Sequence, residues 1–458
     1  MRDKFLHPDY QNMQSRWTMC RDAAAGEYEV HNKGEVYLPR LEQETDKSYQ
    51  LRLSMTPFFG ATWRTIITLR GMMFRKEPTI EIPDAMQDDL SNIDYAGQSL
   101  TSFAQDVSMQ ALTVGRSGVL VDYSSVPDGV TEADARNAGS RAFMRLYNAE
   151  SILNWQYRND RGMKVLSMVR LLEDASNYDD IELEPSDEIH KVLMLSGTIY
   201  QQLIYKVDGQ GNENLIQDIT PRMQGSTLDF IPFQPIGVDS LDMRVEIPPL
   251  IDLITTNFHH YRQSSSYERG CFISGLPTAN IFGEPNADRN IYVGGTMANV
   301  FSDPNARFEY AEVSSEFGGL LKNLEKKEYQ MAVLGARMLE SQRAGVESEG
   351  ALARKQSGEE SVLADISTTI SQGMTRALKW FADWQGYESQ DISFQLTKDF
   401  LPFAMDAQEI TALFSAYLGK GLSYDALYYN YKRAGLYPPG TTIDEERGKI
   451  NEGVPGMV

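Results

Sequence analysis

Residues 248–270 read PPLIDLITTNFHHYRQSSSYERG, and this stretch with its sequel decides the fold. Two prolines at its start suit the first turn of a helix. The apolar residues that follow recur at helical spacing, as Leu250, Ile254, Phe258 and Tyr261. The pattern weakens in the serine run 264–266, and Gly270 predicts the end of the helix.

The segment after this helix predicts a protrusion. Residues 271–312 are rich in Gly, Pro, Asn and Asp and hold only short apolar runs, such as 291–293. Periodic apolar residues return over about 314–340, and a second long helix is predicted at about 351–385, beyond the polar stretch 341–350. This order predicts a hairpin of two helices with a small strand-containing segment between them, and the returning helix would be about 40 Å long. Such a protrusion is rare in single compact domains and common in subunits of assemblies.

The regions before residue 248 and after residue 385 contain apolar residues at both helical and strand spacing. Three helices are predicted before residue 115, at 10–25, 49–74 and 101–114, with an extended link at 34–39. Short alternating runs separated by Gly, Asn and Asp predict strands at 118–123, 142–147, 165–172, 191–195 and 198–207, and again at 392–396. Two short helices are expected to close the chain, one with a capping box at Asp406 and Glu409 and one capped by Ser423. The expected fold class is α+β and helix-rich.

Composition excludes several classes of protein. The 458 residues carry a formal charge of −21, of which −16 falls between residues 77 and 246. Hydrophobic residues make up 41%, which excludes global disorder, and the acidic balance argues against blanket neutralisation of nucleic-acid phosphates. Two cysteines allow no disulfide framework or cysteine-rich zinc site. With no apolar run of about 18 residues and no leader-like start, we expect a soluble protein without a membrane span.

Enzyme signatures are absent from the sequence. His259 and His260 are adjacent and so point to different helix faces, unlike a metal pair at i and i+4. There is no Walker-A loop and no Gly-x-Ser-x-Gly. Carboxylate pairs are too abundant to single out a catalytic one. We therefore expect no catalytic residue, cofactor or metal; a carboxylate-dependent hydrolase that uses the acidic middle region is kept as an alternative.

Several segments in order along the chain resemble one family. They are HPDY (7–10) with Trp17, YLP (37–39), LRG (69–71), FRKEP (74–78), GRSGVLVD (115–122), IPPL (247–250), HYR (260–262), LGARML (334–339) and the closing 380–386. Together they resemble the portal proteins of tailed bacteriophages of the DUF4055 type. The segment Glu349-Gly350-Ala351 departs from the polar start expected for the last long helix.

The resemblance implies a ring, typically of twelve copies, at one vertex of the capsid. Each portal-type subunit would have a wing at 1–247 with its strand-rich part at 118–246, stem helices at 248–269 and 313–340, and a small β-containing clip at 270–312. A tunnel loop would follow at 341–350, then a long helix with a return to the wing at 351–399, and a helical crown at 400–458. The location implied is the virion, after assembly in the host cytoplasm.

The same resemblance implies partners and contact residues. Double-stranded DNA would pass without sequence specificity during genome packaging and ejection. The loop residues expected to face it are Ser341, Gln342, Arg343 and Gly345, followed by Arg354 and Lys355. The terminase large subunit would dock on the clip, for which the candidates are Cys271, Phe272, Asn290, Tyr292 and Phe301. Major capsid or scaffold protein and a head–tail adaptor complete the implied partners. Another head–tail adaptor is the structural alternative for the chain itself.

Overall fold

The computed structural model describes residues 2–124, 140–174, 184–275, 278–282, 305, 307–311, 317–339, 361–400, 407–433, 437 and 442–452. Helices and strands are both abundant in it, which confirms the α+β, helix-rich class. None of the helices in these ranges is long and apolar enough to cross a bilayer.

The helices fall into an N-terminal group, a central hairpin and a C-terminal group. In chain order they are α1 (Pro8–Ala25), α2 (Glu27–Lys33), α3 (Asp46–Met55), α4 (Ala61–Met73), α5 (Leu100–Val114), α6 (Ile251–Gly275), α7 (Gly318–Ala336), α8 (Val362–Gln385), α9 (Ala407–Leu418), α10 (Tyr424–Arg433) and α11 (Ile443–Glu452). Short 3₁₀ turns occur between them, including one at Arg337–Leu339 directly after α7.

The strands form small antiparallel sheets. They are β1 (Thr79–Glu81), β2 (Arg116–Tyr123), β3 (Ala142–Asn148), β4 (Ile152–Asp160), β5 (Met163–Glu173), β6 (Glu188–Ser196), β7 (Ile199–Val207), β8 (Glu213–Ile219), β9 (Arg222–Met223), β10 (Ser226–Thr227), β11 (Phe233–Gly237), β12 (Thr278–Phe282), β13 (Arg307–Ala311) and β14 (Ser393–Gln395). The largest sheet is the meander β4-β5-β6-β7-β8, and a second sheet has the order β11-β2-β3.

The core lies where α8 covers the β11-β2-β3 sheet. One face of α8 is apolar along its length, as the sequence predicts, and its buried side chains include Leu363, Ile366, Ile370, Met374, Leu378 and Phe381. At Gly373 the helix comes so near to the sheet that a Cβ atom would lie 2.8 Å from Ile236 Cγ1. The helix ends at Gly386, whose φ of 76° is a left-handed conformation that glycine adopts without strain.

The first and third N-terminal helices confirm their predictions. Met13, Trp17 and Cys20 are buried on α1, and Phe103 and Val107 are buried on α5. Helical spacing of apolar residues therefore placed these two helices on the core correctly.

The single helix predicted at 49–74 is wrong. Two helices, α3 and α4, occupy that stretch, and the chain is extended at Thr56. The cause is Pro57, because the ring of a proline disfavours helical geometry in the residue before it. The link at 34–39 is also not fully extended, since it starts with a 3₁₀ turn at Gly34–Val36.

The end of the chain holds one helix more than predicted. Besides α9 and α10, the structure has α11, whose first turn carries Asp444 and Glu446 next to the positive end of the helix dipole. Ser423 caps α10 as predicted, with its Oγ accepting from Ala426 N at 3.2 Å. Asp406 lies outside the described residues.

Candidate functional site: the helical hairpin 251–336

The predicted hairpin is formed by α6 and α7, which pack against each other along their length. Gly270 lies beside Phe317 at the start of α7, His260 pairs with Glu328 further along, and Leu253 lies beside Gly335 near its end. Because contacts late in α6 meet residues early in α7, the two helices run antiparallel. α6 thus begins at the core, packs against α7, and is flanked by α3 as far as its last turns.

The predicted start of α6 is confirmed, but its predicted end at Gly270 is wrong. Ile254 N donates to Leu250 O at 3.0 Å, so helical bonding begins directly after the two prolines. Gly270 does not end the helix, which continues to Gly275. Its lack of a side chain serves packing instead, since a Cβ there would lie 2.5 Å from the ring of Phe317.

This longer helix corrects part of the expected clip. Cys271 and Phe272 lie in the last turns of α6 and belong to the hairpin helix, not to a strand-containing tip. The glycine that suggested a boundary is a helix–helix contact, and glycine is tolerated inside a helix where close packing offsets its lower propensity.

The tip of the hairpin contains a pair of strands. β12 and β13 are antiparallel, with Thr278 opposite Ala311 and Phe282 opposite Arg307. A small β-containing tip at the end of a helical hairpin agrees with the layout read from the sequence. Asn290, Tyr292 and Phe301 lie outside the described residues, so their expected contacts stay a prediction.

Polar contacts hold the two hairpin helices in register. His260 Nε2 lies 3.2 Å from Glu328 Oε1, and Lys327 donates from Nζ to the side-chain oxygen of Gln263. Burial lowers the pKa of His260 below its usual range, although the Glu328 carboxylate acts in the opposite direction. His259 is exposed. His260 is thus buried beside Glu328, whereas its neighbour His259 faces solvent. Within the described ranges, no group of three or more His, Cys, Asp and Glu residues could hold a metal ion.

A buried ion pair clamps the hairpin to the N-terminal helices. Arg52 on α3 donates from Nε and Nη2 to the two carboxylate oxygens of Glu44 at 2.8 and 2.7 Å. Its Nη1 reaches Ser265 on α6 at 3.2 Å, and Nη2 also reaches Pro39 O at 2.9 Å. The guanidinium lowers the pKa of Glu44 to about 2. Sequence reasoning missed this clamp, because nothing local links Glu44 to residues 265–269.

Aromatic stacking adds a second attachment close by. Tyr37 stacks on Phe258 of α6 with ring centroids 4.2 Å apart, and Phe58 lies 5.6 Å from the same ring. Arg262 Nε donates to Tyr37 O at 3.0 Å. The YLP segment and the first half of α6 are thus joined directly by packing, while the ion pair holds the second half of the same helix at Ser265.

The predicted DNA-facing loop cannot be compared with the structure. Ser341, Gln342, Arg343, Gly345, Arg354 and Lys355 all lie outside the described residues. Their role stays a prediction.

A basic groove that the sequence did not single out lies beside α8. The cleft has a volume of about 520 Å³, and the residues that line it include Arg376, Lys379 and Lys398 but no carboxylate. Arg376 Nη1 donates to Gln234 Oε1 at 3.1 Å, and Lys379 Nζ to Gln390 O at 3.2 Å. The sequence did contain a signal for this groove, since Arg376 and Lys379 lie one turn apart on the polar face of the helix predicted at 351–385.

Two carboxylates with raised pKa bear on the hydrolase alternative. Burial raises the pKa of Asp89, which lies 3.4 Å from Arg141. Burial also raises the pKa of Glu246. The Glu246 carboxylate accepts hydrogen bonds from two backbone N–H groups, of Val238 and Asp239, and from the Ser240 hydroxyl. Both carboxylates therefore have structural partners within the chain.

A comparison with protein families finds one match for this chain. The family model DUF4055, described as a domain of unknown function, matches residues 249–385. The matched segment contains α6, β12, β13, α7 and the whole of α8. This confirms the DUF4055 part of the resemblance for the hairpin and the long helix behind it. A comparison with curated proteins finds no match.

Three solved structures with chains similar to this one come from gene transfer agent (GTA) particles. A chain from the neck of an empty GTA particle, computed with C6 symmetry, has 14% identity and a TM-score of 0.40, with 88% of this chain and 96% of that chain covered. A chain from the virion of a native GTA particle has 10% identity and a TM-score of 0.39, with 93% and 99% covered. A chain from the neck of a native particle, computed with C12 symmetry, has 12% identity and a TM-score of 0.38, with 87% and 91% covered.

Proposed function

We propose that this chain is a non-enzymatic structural subunit of a phage-type virion, and specifically a portal subunit. Copies of it form a ring of about twelve around a DNA channel at one capsid vertex. The observation that carries the proposal is the α6–β12–β13–α7 hairpin, which is clamped to the N-terminal helices and lies within the segment matched by DUF4055. A stem and clip require such an element.

The charge of the chain supports a conduit rather than a DNA-binding surface. Each phosphate that a protein neutralises releases counterions and tightens binding, so a strongly basic channel would resist sliding. A chain with a formal charge of −21 repels the duplex from most of its surface. A few cations suffice to centre the DNA, and we assign that task to Arg343, Arg354 and Lys355 as part of this proposal.

The proposal assigns partners to the parts of the hairpin. The strand-containing tip, from residue 276 onward, is the docking site for the terminase large subunit and later for the head–tail adaptor. The rest of the chain meets major capsid or scaffold protein. The corrected boundary moves Cys271 and Phe272 out of this docking site and into the stem.

Native mass spectrometry of the purified full-length chain, together with negative-stain electron microscopy, tests the ring. We expect closed rings with an axial hole and a mass near twelve subunits. A chain that stays monomeric at every salt concentration would refute the portal assignment.

The tip is tested by replacing residues 276–312 with a short Gly-Ser linker. Because the contacts that clamp the hairpin lie in α3, α6 and α7, the variant should keep its far-UV circular dichroism and its rings but lose terminase binding and DNA packaging. Packaging at the normal level would refute the docking role of the tip while leaving the ring untouched.

A head–tail adaptor is the second structural candidate. A ring that forms only on top of a preassembled portal, and never from the purified chain, would favour it.

A further inference from the structure

The helices α3, α6 and α7 lie side by side in a row, with α6 in the middle. His260, Gln263 and Gly270 face α7. Ser265 bonds to Arg52, which lies on α3. Successive residues of a helix are rotated by 100°, which places Ser265, Arg269 and Phe272 on the side of α6 opposite to the α7 contacts. The row therefore has two edges, one formed by α3 and the other by the outer face of α7.

The α3 edge carries an apolar groove. It has a volume of about 160 Å³ and lies between α3 and the last turns of α6, with the apolar residues Leu51, Met55, Phe272 and Ile273 among its lining. Leu51 is 48% exposed, and Phe272 and Ile273 are also exposed. Glu268 and Arg269 supply one charge of each sign beside these residues.

The α7 edge carries a matching ridge. Leu321, Glu325 and Tyr329 are spaced by four residues, so they form one continuous row along the helix. Leu324 and Met331 face the α6 side and are buried, whereas Tyr329 is 71% exposed. Lys322 lies one turn before Glu325, so the ridge also presents both signs of charge around apolar side chains.

We infer that the α7 ridge of one copy packs into the α3–α6 groove of the next copy. This inference rests on the proposed ring and names the contact that builds it. Leu321 and Tyr329 meet the apolar residues of the groove, while Lys322 has an opposite charge available in Glu268. The ridge on the α7 side and the groove on the α3 side are two different surfaces, so pairing them makes a head-to-tail contact. Repetition of such a contact closes into a ring when its rotation divides a full turn.

Disulfide trapping tests the contact directly. The pair Leu51→Cys and Tyr329→Cys is introduced into a Cys271→Ser background, where the remaining native cysteine, Cys20, is fully buried. Oxidation should give a ladder of covalent oligomers on a non-reducing gel. A matched control pairs Leu51→Cys with Tyr28→Cys, since Tyr28 is an exposed tyrosine on α2, outside the ridge; this pair should give no ladder.

Charge exchange separates a contact from a general loss of stability. Lys322→Glu should weaken association between subunits about 30-fold, as expected for a contact in the centre of an interface. Adding Glu268→Lys to the same chain should restore the rings, which an effect on folding would not do.

The outcomes distinguish this inference from the function it rests on. Rings that survive Lys322→Glu and form no ladder with the cysteine pair would overturn the ridge-and-groove contact but leave the ring intact. A wild-type chain that never assembles would overturn both.

Discussion

The clamp between α3 and the hairpin gives the sharpest stability prediction. Glu44→Gln removes the carboxylate but keeps the size of the side chain. The Arg52 and Glu44 side chains are only 7% and 2% exposed, so the variant leaves a buried guanidinium without its counter-charge. Removal of one partner of a buried pair costs about 3–5 kcal/mol.

The pKa of Glu44 supports the same magnitude. A pKa of about 2 lies more than two units below the usual value of a glutamate, and each unit corresponds to about 1.4 kcal/mol. We therefore expect Glu44→Gln to lower the free energy of unfolding by about 3 kcal/mol at neutral pH. Because the folded-state pKa is lowered, this contribution is complete above about pH 4.5 and disappears as the pH falls towards 2.

The measurement is urea unfolding of the isolated subunit, followed by far-UV circular dichroism at pH 7 and again at pH 3. The matched control is Glu35→Gln, which breaks an ion pair of similar length, 2.6 Å to Arg40, whose glutamate is 58% exposed. Water screens that pair, so its loss should leave the midpoint nearly unchanged. Equal effects of the two variants, or a Glu44→Gln effect that is as large at pH 3 as at pH 7, would refute the clamp.

Three further predictions concern packing and thiol reactivity. Gly270→Ala should destabilise the subunit by about 1–3 kcal/mol, because its Cβ would lie 2.5 Å from the Phe317 ring. Gly275→Ala should be neutral in the same urea assay, because none of the described residues has an atom within 4 Å of its Cβ. Phe258→Ala should cost about 3–5 kcal/mol, since the ring is buried at the base of the hairpin; a loss below 1 kcal/mol would show that the base is not held there. Burial raises the pKa of the Cys20 thiol to about 12, so Cys20 should resist a thiol reagent at pH 8 until urea is added, and rapid labelling in the native protein would contradict its buried position.

Local patterns were sufficient for much of the fold. The apolar spacing of Trp17 and Cys20 predicted α1, and that of Ile366, Ile370 and Phe381 predicted the face of α8 that covers the sheet. Alternating runs predicted antiparallel strands at 165–172, 191–195 and 198–207, where the structure has β5, β6 and β7. The two outer strands of the meander, β4 and β8, were not predicted. The predicted features are encoded within a few turns or a single strand, so a window of about 15 residues holds the information.

Strand pairings between distant segments could not be predicted from local sequence patterns. β11 pairs with β2, so Phe233 lies opposite Leu120 although more than a hundred residues separate them. The stretch 233–237 contains a proline and a glycine and gives a weak strand signal. Its place in the sheet comes from the partner strand and from α8 above it, neither of which a local reading includes.

The features of the hairpin likewise fall into those that local sequence determines and those that depend on packing. The sequence by itself determined that a helix leaves residue 250, that a glycine-rich excursion follows, and that a second helix returns, because apolar periodicity and turn residues are local properties. It also determined the acidic charge and the absence of enzyme motifs.

Only the tertiary structure decided where α6 ends and what holds it. Gly270 alone predicts a stop, and it becomes a close contact only because Phe317 lies opposite. Glu44 alone is a surface carboxylate, and it becomes a clamp only because Arg52 is buried between α3 and α6. The groove and the ridge likewise exist only once three helices lie side by side. Each of these properties depends on which distant side chain arrives next to a residue, and that is fixed by packing of the whole chain rather than by the residue's neighbours in sequence.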